Sequence, residues 1–263
     1  MRPSAGAAAL AAVLLAGGAA GCTRGDDPSA APATPAAAVA RAAEKTAGLT
    51  SLRYRATGRI PGEGRIRAEG SYRANASSVK TRVTGGEHPG TGEMRLVDGM
   101  LYGTAKPLHG KHWICYGSLE RGKLDDFLVL NTRNERDETG RNPAREAAFL
   151  TAAKDVKDAG AETVDGVRTT HYTGTAGLDA IDAEVKPGKS LRPYRTMGVD
   201  ALTLDLWVGP DDRARQVRLR GMGRHGELDL TLTFLAYDKR VTVEAPAPSD
   251  TSDLTKRLKP VKG

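Results

Sequence analysis

Large side chains are scarce in this chain of 263 residues, because Phe, Trp and Tyr make up 5% of it and all hydrophobic types together 39%. Cysteine occurs only at Cys22 and Cys115. After Cys22 the sequence has no apolar run long enough to cross a bilayer. These shortages predict a thin core of Leu, Val and Ile built on a β-sheet, without a disulfide scaffold and without a further spanning helix.

The first residues have the pattern of an export signal. Arg2 precedes an apolar run of Ala, Leu and Val that ends in Ala19-Ala20-Gly21-Cys22. A short apolar core that meets small residues suits a cleaved signal better than a permanent span. The last four residues resemble a bacterial lipobox, although Ala19 stands where Leu is usual, and the resemblance implies a diacylglycerol anchor on Cys22. The alternative is an ordinary secretory peptide in which Cys22 is incidental.

Four segments follow from this pattern. We expect a lipoprotein signal peptide over residues 1–21 and a flexible tether over residues 22–35, which are polar and rich in Pro and Ala. A folded domain is expected over residues 36–254, and a frayed basic tail over residues 255–263. Export and an anchor at Cys22 together predict a position on the outer face of the plasma membrane.

The folded part has one helical stretch followed by many strands. Residues 36–47 have high helix propensity, follow a proline and end at Gly48. Strand alternation then runs from Leu52 to Tyr116, with turn signals at residues 61–64 and at Asp98-Gly99. Helical spacing returns around residues 124–130 and 144–153. A second set of strands turns at Asp165-Gly166, is interrupted by a helix near residues 178–185, and ends in three longer strands before an irregular tail from Ala245.

The order of these elements resembles the LolA-like superfamily, and its LppX/LprG-type lipoproteins in particular. The segments that carry the resemblance are Val97–Tyr102, Trp113-Ile114, Val164–Val167, His171–Thr175, Leu206–Asp212 and Val241–Pro246. The resemblance covers roughly residues 36–254. It implies an α+β fold in which a curved antiparallel half-barrel has its concave face covered by helices. It also implies an apolar cavity that holds the acyl chains of a lipid or lipoglycan, with no catalytic residues.

Apolar positions of the predicted strands are the candidates for lining such a cavity. A lining of Leu and Val suits acyl chains, since each buried methylene contributes about 0.8 kcal/mol without a directional bond. The same residues suit a dry core packed by helices, and the sequence leaves both interpretations open. The candidates are Tyr54, Ile66, Leu96, Tyr102, Leu204, Leu206, Leu230 and Leu232.

Motifs for catalysis, metals and cofactors were searched for separately. The chain has no Gly-x-Ser-x-Gly elbow, no His-Glu-x-x-His helix and no phosphate-binding glycine loop. His109 and His112 lie three residues apart without a clearly placed acidic or thiol partner. Cys115 shares a strand face with Trp113, where a small buried hydrophobe is expected. We therefore predict no enzyme, no metal site and no cofactor.

Basic residues alternate with the apolar ones in several strands. The net charge is +7, and we expect one cationic sheet face formed by Arg53, Arg55, Arg65, Arg67, Arg218 and Arg220. Such a face is either a solubilising surface or a contact for anionic headgroups or wall polymers. Nucleic acid is not expected, because the basic positions lack interleaved aromatic residues for stacking.

Taken together, the sequence predicts an anchored envelope lipoprotein that binds or carries an acylated amphiphile non-covalently. The alternative belongs to another class: an envelope interaction or sensory module with a filled core that docks a protein or a wall polymer.

Overall fold

The computed structural model of this chain describes residues 34–73, 76–86, 89–108, 110–118, 142–185 and 191–254. The predicted signal peptide, Cys22, most of the tether, the helical stretch at residues 124–130 and the basic tail lie outside the described residues. No helix within the described ranges is both long and apolar enough to span a bilayer.

The first helix, α1, spans Pro35–Ala47 and confirms the predicted helix after a proline. Thr34 caps its N-terminus, since the Thr34 hydroxyl accepts a hydrogen bond of 3.2 Å from the backbone N–H of Ala37. Its buried stripe is made of Ala38, Val39, Ala42, Ala43 and Thr46. The Thr46 hydroxyl also accepts from the backbone N–H of Ala214 at 3.0 Å. This bond fixes the helix to the sheet.

Six strands follow α1 as consecutive antiparallel hairpins. They are β1 (Ser51–Ile60), β2 (Gly64–Arg73), β3 (Ala76–Thr84), β4 (Gly90–Val97), β5 (Met100–Leu108) and β6 (Lys111–Ser118). At the predicted Asp98-Gly99 turn both residues have positive φ, 48° and 77°, as a tight two-residue hairpin requires.

The second half of the chain places short helices between strands. The 3₁₀ helix η1 (Pro143–Ala152) precedes β7 (Lys157–Val164) and β8 (Val167–Gly177), then come α2 (Leu178–Val185) and α3 (Arg192–Thr196). The strands β9 (Ala201–Val208), β10 (Ala214–Gly223) and β11 (Gly226–Tyr237) complete this half. The helix expected at residues 144–153 is therefore present, but with 3₁₀ geometry.

All strands join one open sheet of 12 strands in the order β12-β6-β5-β4-β3-β2-β1-β11-β10-β9-β8-β7. Every pairing is antiparallel except that of β12 with β6. The helices α1, η1 and α2 pack against the face formed by β7 to β10. The predicted fold class is confirmed: an α+β protein in which helices cover one face of an antiparallel sheet that does not close.

The irregular tail predicted from Ala245 is wrong for residues 248–253. A short 3₁₀ helix, η2 (Pro248–Asp250), leads into the strand β12 (Thr251–Asp253), which pairs in parallel with Trp113–Cys115 of β6. Lys111 Nζ donates to the carbonyl of Thr251 at 2.8 Å, and the His112 backbone N–H donates to Asp250 Oδ1 at 2.9 Å. Contacts far away in the sequence order this strand, and three residues are too few for an alternation signal.

The turn after β3, with two adjacent glycines, packs closely against the turn between β1 and β2. Gly85 and Gly86 have φ of 74° and 72°, so an alanine at either position carries the same left-handed strain of about 1 kcal/mol. A Cβ at Gly86 would overlap the carbonyl of Glu63, whereas one at Gly85 would meet nothing within 4 Å. We expect Gly86→Ala to lower the free energy of unfolding by at least about 1 kcal/mol more than Gly85→Ala, measured by urea denaturation. Equal losses would contradict the close packing of the two turns.

Candidate functional site

Strand register gathers the apolar residues on one side of the sheet, which we call the inner face. Leu206 lies opposite Val217, Val217 opposite Leu232, Leu232 opposite Ala56, and Ala56 opposite Ala68. The next row joins Leu204, Leu219, Leu230, Gly58 and Ile66 in the same way. The structure therefore brings together five of the predicted candidates, Leu204, Leu206, Leu230, Leu232 and Ile66.

The part of the inner face under the helices is filled by side chains. Leu204 and Leu206 are each 1% exposed and Leu232 is 5% exposed. They share one core cluster with Val39 of α1, Phe149 of η1 and Ile181 of α2. Packing of this kind leaves little space for a ligand between β9–β11 and the helices.

The other part of the inner face is apolar but only half-buried. It carries a group of residues that we call the apolar trough: Tyr54, Ile66, Tyr72, Val79, Met94 and Ile114. Register places them on the face of Leu96, which is buried at the trough's edge. Half-buried aromatic and aliphatic side chains on one continuous face form a surface that an alkyl chain can cover.

Two glycines shape the floor of the trough. A Cβ at Gly70 would overlap the ring of Tyr54, and one at Gly103 would lie 2.6 Å from the sulfur of Met94 and 2.9 Å from the ring of Tyr116. The Tyr54 ring and the Met94 side chain therefore lie flat on the sheet where the glycines leave room. This arrangement keeps the trough shallow and its surface apolar.

Tyr102 is the predicted candidate that lies elsewhere. Its register partners are Arg95 and Cys115, on the opposite side of the sheet, which we call the outer face. Burial raises the pKa of the Tyr102 hydroxyl, and the nearby charge of Cys115 and a hydrogen bond with it act in the same direction. Cys115 is buried, as the sequence predicted.

A chain segment crosses this end of the outer face. Arg95 Nη1 donates to the carbonyl of Glu244 at 3.0 Å, and its guanidinium lies 4.6 Å from the centre of the Trp113 ring. Ser51 Oγ donates to the carbonyl of Lys239 at 2.7 Å. Residues 239–247 are thus held against the outer face, whereas Tyr102 is separated from the trough because it lies on the opposite side of the sheet.

The outer face of β7 to β10 carries a polar network that the sequence did not predict. His171 Nδ1 lies 2.9 Å from Glu162 Oε1, and His171 Nε2 lies 3.0 Å from Asp205 Oδ1. Trp207 Nε1 donates to Glu162 Oε2 at 2.9 Å, and the Trp207 ring stacks on His171 with centroids 4.3 Å apart. Arg220 Nη2 donates to Asp205 Oδ2 at 2.7 Å. These residues come from the four strands β7 to β10 and meet through strand register.

The network lowers the pKa of both carboxyl groups. Burial acts to raise the pKa of Asp205, but hydrogen bonds from Arg220, His171 and Thr173, together with the Arg220 charge, outweigh it. The pKa of Glu162 is lowered first by the hydrogen bond from Trp207, and also by His171. Both carboxylates are therefore held in the charged form and accept hydrogen bonds.

The arrangement supports structure better than catalysis or metal binding. Glu162 and Asp205 occupy the two ring nitrogens of His171 on opposite sides, so the three groups do not converge on one point. No group of three or more His, Cys, Asp or Glu residues suited to a metal occurs in the described part of the chain. His112 instead contacts Asp250 at 2.8 Å, and His109 lies outside the described residues.

Part of the predicted cationic face is neutralised, which corrects that expectation. Arg218 makes two hydrogen bonds to Asp229, of 2.8 and 2.7 Å, and Arg220 pairs with Asp205. Sequence alternation placed both arginines on the correct side but did not show that carboxylates of neighbouring strands face them. Arg53, Arg65 and Arg67 are exposed, whereas Arg55 is half-buried.

A cleft of about 400 Å³ lies at the tips of the hairpins. It is open to solvent and none of the eight predicted cavity residues lines it. Its walls come from the turns after β1, β3 and β10, and include Arg59, Arg65, Thr84, His225 and Glu227.

Within the described ranges, these features define a class of protein in which helices pack on half of one face of an open antiparallel sheet and leave an apolar trough on the other half. The model of the LppX_LprAFG lipoprotein family matches residues 34–243. The chain belongs to this family, which confirms the resemblance to LppX/LprG-type lipoproteins seen in the sequence.

Two solved structures share the fold. Mycobacterium tuberculosis lipoprotein LppX is 18% identical, with a TM-score of 0.50 over 80% of this chain and 98% of LppX. LprF from Mycobacterium bovis is 16% identical, with a TM-score of 0.50 over 81% of this chain and 97% of LprF. At these identities the likeness concerns the fold alone.

Two Streptomyces proteins are similar in sequence. An uncharacterised 31.2 kDa protein of Streptomyces griseus is 33% identical over 161 residues, which are 57% of this chain and 50% of that protein. A Streptomyces coelicolor protein, whose name describes it as a lipoprotein, is 31% identical over 156 residues, 59% of this chain and 46% of that protein. The chain thus spans about half the length of the curated relatives it matches.

We expect Asp205→Asn to lower the free energy of unfolding by about 2 kcal/mol, because the amide cannot accept from both His171 and Arg220 as the carboxylate does. Urea denaturation at neutral pH measures the loss. The matched control is Asp200→Asn, an exposed residue immediately before β9, for which we expect no more than about 0.5 kcal/mol. Similar losses in both variants would contradict a structural role for the network.

The same variant predicts a change in acid sensitivity. Since the folded pKa of Asp205 is lowered, its contribution is complete above the unfolded pKa of about 4 and is lost as the pH falls through the folded value. We expect the wild-type protein to lose stability over this range and Asp205→Asn to lose less. Parallel profiles of unfolding free energy against pH would contradict the assignment.

Proposed function

We propose that this protein binds the acyl chains of a lipid or lipoglycan non-covalently in the apolar trough, and that it does so as a lipid-anchored lipoprotein of the cell envelope. The observation that carries the proposal is the half-buried apolar surface of Tyr54, Ile66, Tyr72, Val79, Met94 and Ile114 on the inner face. An alkyl chain laid on this surface removes both its own methylenes and the side chains from water, at about 0.8 kcal/mol per methylene.

The proposed mechanism needs no covalent step. Acyl chains enter along the trough, and the headgroup stays at its solvent-exposed end. Family membership supports this proposal. The network around His171 lies on the outer face and offers no histidine nitrogen to a substrate, which favours a non-enzymatic role.

A second candidate is an envelope interaction module that docks a protein or wall polymer. The filled interior between the helices and β9–β11 favours it, because Leu204, Leu206 and Leu232 act there as a dry core. In the carrier proposal these three residues support the trough rather than line it.

The lipid proposal predicts a discrete adduct. We expect native mass spectrometry of the full chain, purified in mild detergent from a host rich in envelope lipids, to show a stoichiometric lipid that organic extraction removes. The double variant Ile66→Thr/Val79→Thr should weaken binding about tenfold, since each added hydroxyl would be buried against an alkyl chain without a partner.

The matched control is Leu235→Thr, which changes an exposed residue on the outer face of β11. This variant should bind lipid as the wild type does. A clean mass without adduct after incubation with phospholipids and lipoglycans would favour the interaction module. Equal weakening in the control and the double variant would remove the trough as the binding site.

The anchor proposal predicts that Cys22→Ala releases the chain from membranes or leaves its signal peptide attached. Cys115→Ala removes the other cysteine and is the control, with membrane retention expected to be unchanged. Membrane fractionation and intact mass distinguish the outcomes. A Cys22→Ala protein with the fractionation and the mass modification of the wild type would contradict an acyl anchor on Cys22.

A further inference from the structure

Four exposed arginines lie together on the outer face, near the tips of the first hairpins. They are Arg59 of β1, Arg65 and Arg67 of β2, and Arg82 of β3, and we call them the arginine patch. Strand alternation places all four on the side opposite the trough. Residues 239–247 contact Ser51 and Arg95, at the other end of these strands, and leave the patch exposed.

The register sets these arginines directly against one another. Arg59 pairs with Arg65 across β1 and β2, and Arg67 pairs with Arg82 across β2 and β3. Side chains at directly opposite positions have Cβ atoms about 5 Å apart, and like charges there destabilise a sheet. Two such pairs side by side raise the free energy of the sheet unless an anion lies between them.

Neighbouring carboxylates do not neutralise the patch. Asp229 lies opposite Arg59 in the register but binds Arg218 through both of its oxygens. Glu69 approaches Arg67 only to 3.9 Å, with both side chains more than 60% exposed. Glu93, the next acid on this face, binds Arg95 at 2.7 Å. Among the described residues, Arg59, Arg65 and Arg82 have no ion pair.

The rest of the outer face shows that this imbalance is local. Arg218 and Arg220, on β10, each face a carboxylate of an adjacent strand at 2.7 Å. The same sheet therefore pairs Arg218 and Arg220 closely with acids, whereas Arg59, Arg65 and Arg82 of β1 to β3 have no ion pair with the described residues.

The cleft at the hairpin tips lies against the patch. Arg59 and Arg65 line it together with the hydroxyl-bearing Thr84 and with His225, and Glu227 is its one acidic residue. A Cβ at Gly64 would lie 2.8 Å from the backbone of Thr84 and Gly85, so glycine is needed to bring these turns together. The two guanidinium groups and the hydroxyl are donors suited to phosphate oxygens.

An exposed apolar side chain borders the same surface. Met222, near the end of β10, is 71% exposed and lies opposite Glu227 in the register. It shares the outer face with the patch. A long apolar side chain beside a group of cations suits the boundary between phosphate headgroups and acyl chains. A dissolved polyanion has no apolar region that this side chain could enter.

We propose that the arginine patch, the cleft and Met222 dock this end of the sheet on an anionic phospholipid surface, with a phosphate group between Arg59 and Arg65. This contact is separate from acyl binding in the trough. It holds even if the trough binds no lipid.

Flotation with vesicles tests the docking surface. The full chain carrying Cys22→Ser is partitioned onto phosphatidylcholine vesicles with and without phosphatidylglycerol, and the ratio of the two partition coefficients is recorded. Any apolar contribution of residues 1–21 cancels in this ratio. Each arginine near an anionic surface strengthens binding about fivefold, so Arg59→Gln/Arg65→Gln should lower the ratio about 25-fold at low salt.

Two variants separate the patch from net charge. Arg168→Gln/Arg192→Gln removes two exposed arginines elsewhere and should leave the ratio nearly unchanged. Arg59→Lys/Arg65→Lys keeps the charge and should retain most of the preference. Circular dichroism and urea denaturation of each variant show that it is folded.

Several outcomes would overturn the proposal. One is a wild-type ratio of one, and another is an equal drop in the Arg168/Arg192 control. Tight binding of soluble polyphosphate without any vesicle preference would assign the patch to a dissolved polymer. Loss of vesicle binding in the presence of modest inorganic phosphate, at constant ionic strength, would assign the cleft to free phosphate.

Discussion

The pairing of β1 with β11 is the constraint on which the rest of this fold depends. It joins Leu52–Arg59 to residues 229–237 at the opposite end of the chain, and it is the seam between the hairpins of the two halves. A slip of one residue would turn Leu232 and Phe234 to solvent and bring Thr231 and Thr233 into the core. The seam therefore sets, at the same time, the inner face with its trough and the outer face with its charges.

The seam also divides the inner face into two parts that differ in burial. On one side of it the helices α1, η1 and α2 cover β7 to β10 and fill the interior. On the other side, the trough residues of β2 to β6 are half-buried, whereas their neighbours Leu96 and Leu101 are buried. Apolar surface that stays partly exposed to water is costly, which supports the proposal that a ligand covers the trough.

Local sequence was enough to predict the hairpins and the main inner-face rows. Asp98-Gly99 and Asp165-Gly166 marked tight turns through their tolerance of positive φ, and the strict alternation of Leu204 and Leu206 assigned their side of the sheet. Tyr102 was harder, because Met100, Leu101 and Tyr102 are all apolar and alternation could not choose a face. The bulge between Leu101 and Tyr102 in the pairing with β6 adds to this ambiguity.

Contacts between side chains of adjacent strands could not be predicted from the sequence, for a physical reason. The acid partners of Arg218 and Arg220 lie on adjacent strands, and only the register of β9 to β11 shows them. The same holds for His171, which meets Glu162 across one hairpin and Asp205 across the next strand. The strand β12 depends on backbone contacts with β6, so its own three residues carry no signal.

The two edges of the sheet are protected from pairing with another chain in different ways. At one end β12 occupies the free backbone groups of β6, while at the other the exposed strand β7 has charged side chains and a bulge between Asp158 and Gly160. A charged, bulged strand is a poor template for another chain. Proteins tethered to a membrane meet one another in two dimensions at high local concentration. Under the proposed anchor at Cys22, edges of this kind would keep neighbouring copies on one membrane from joining into a continuous sheet.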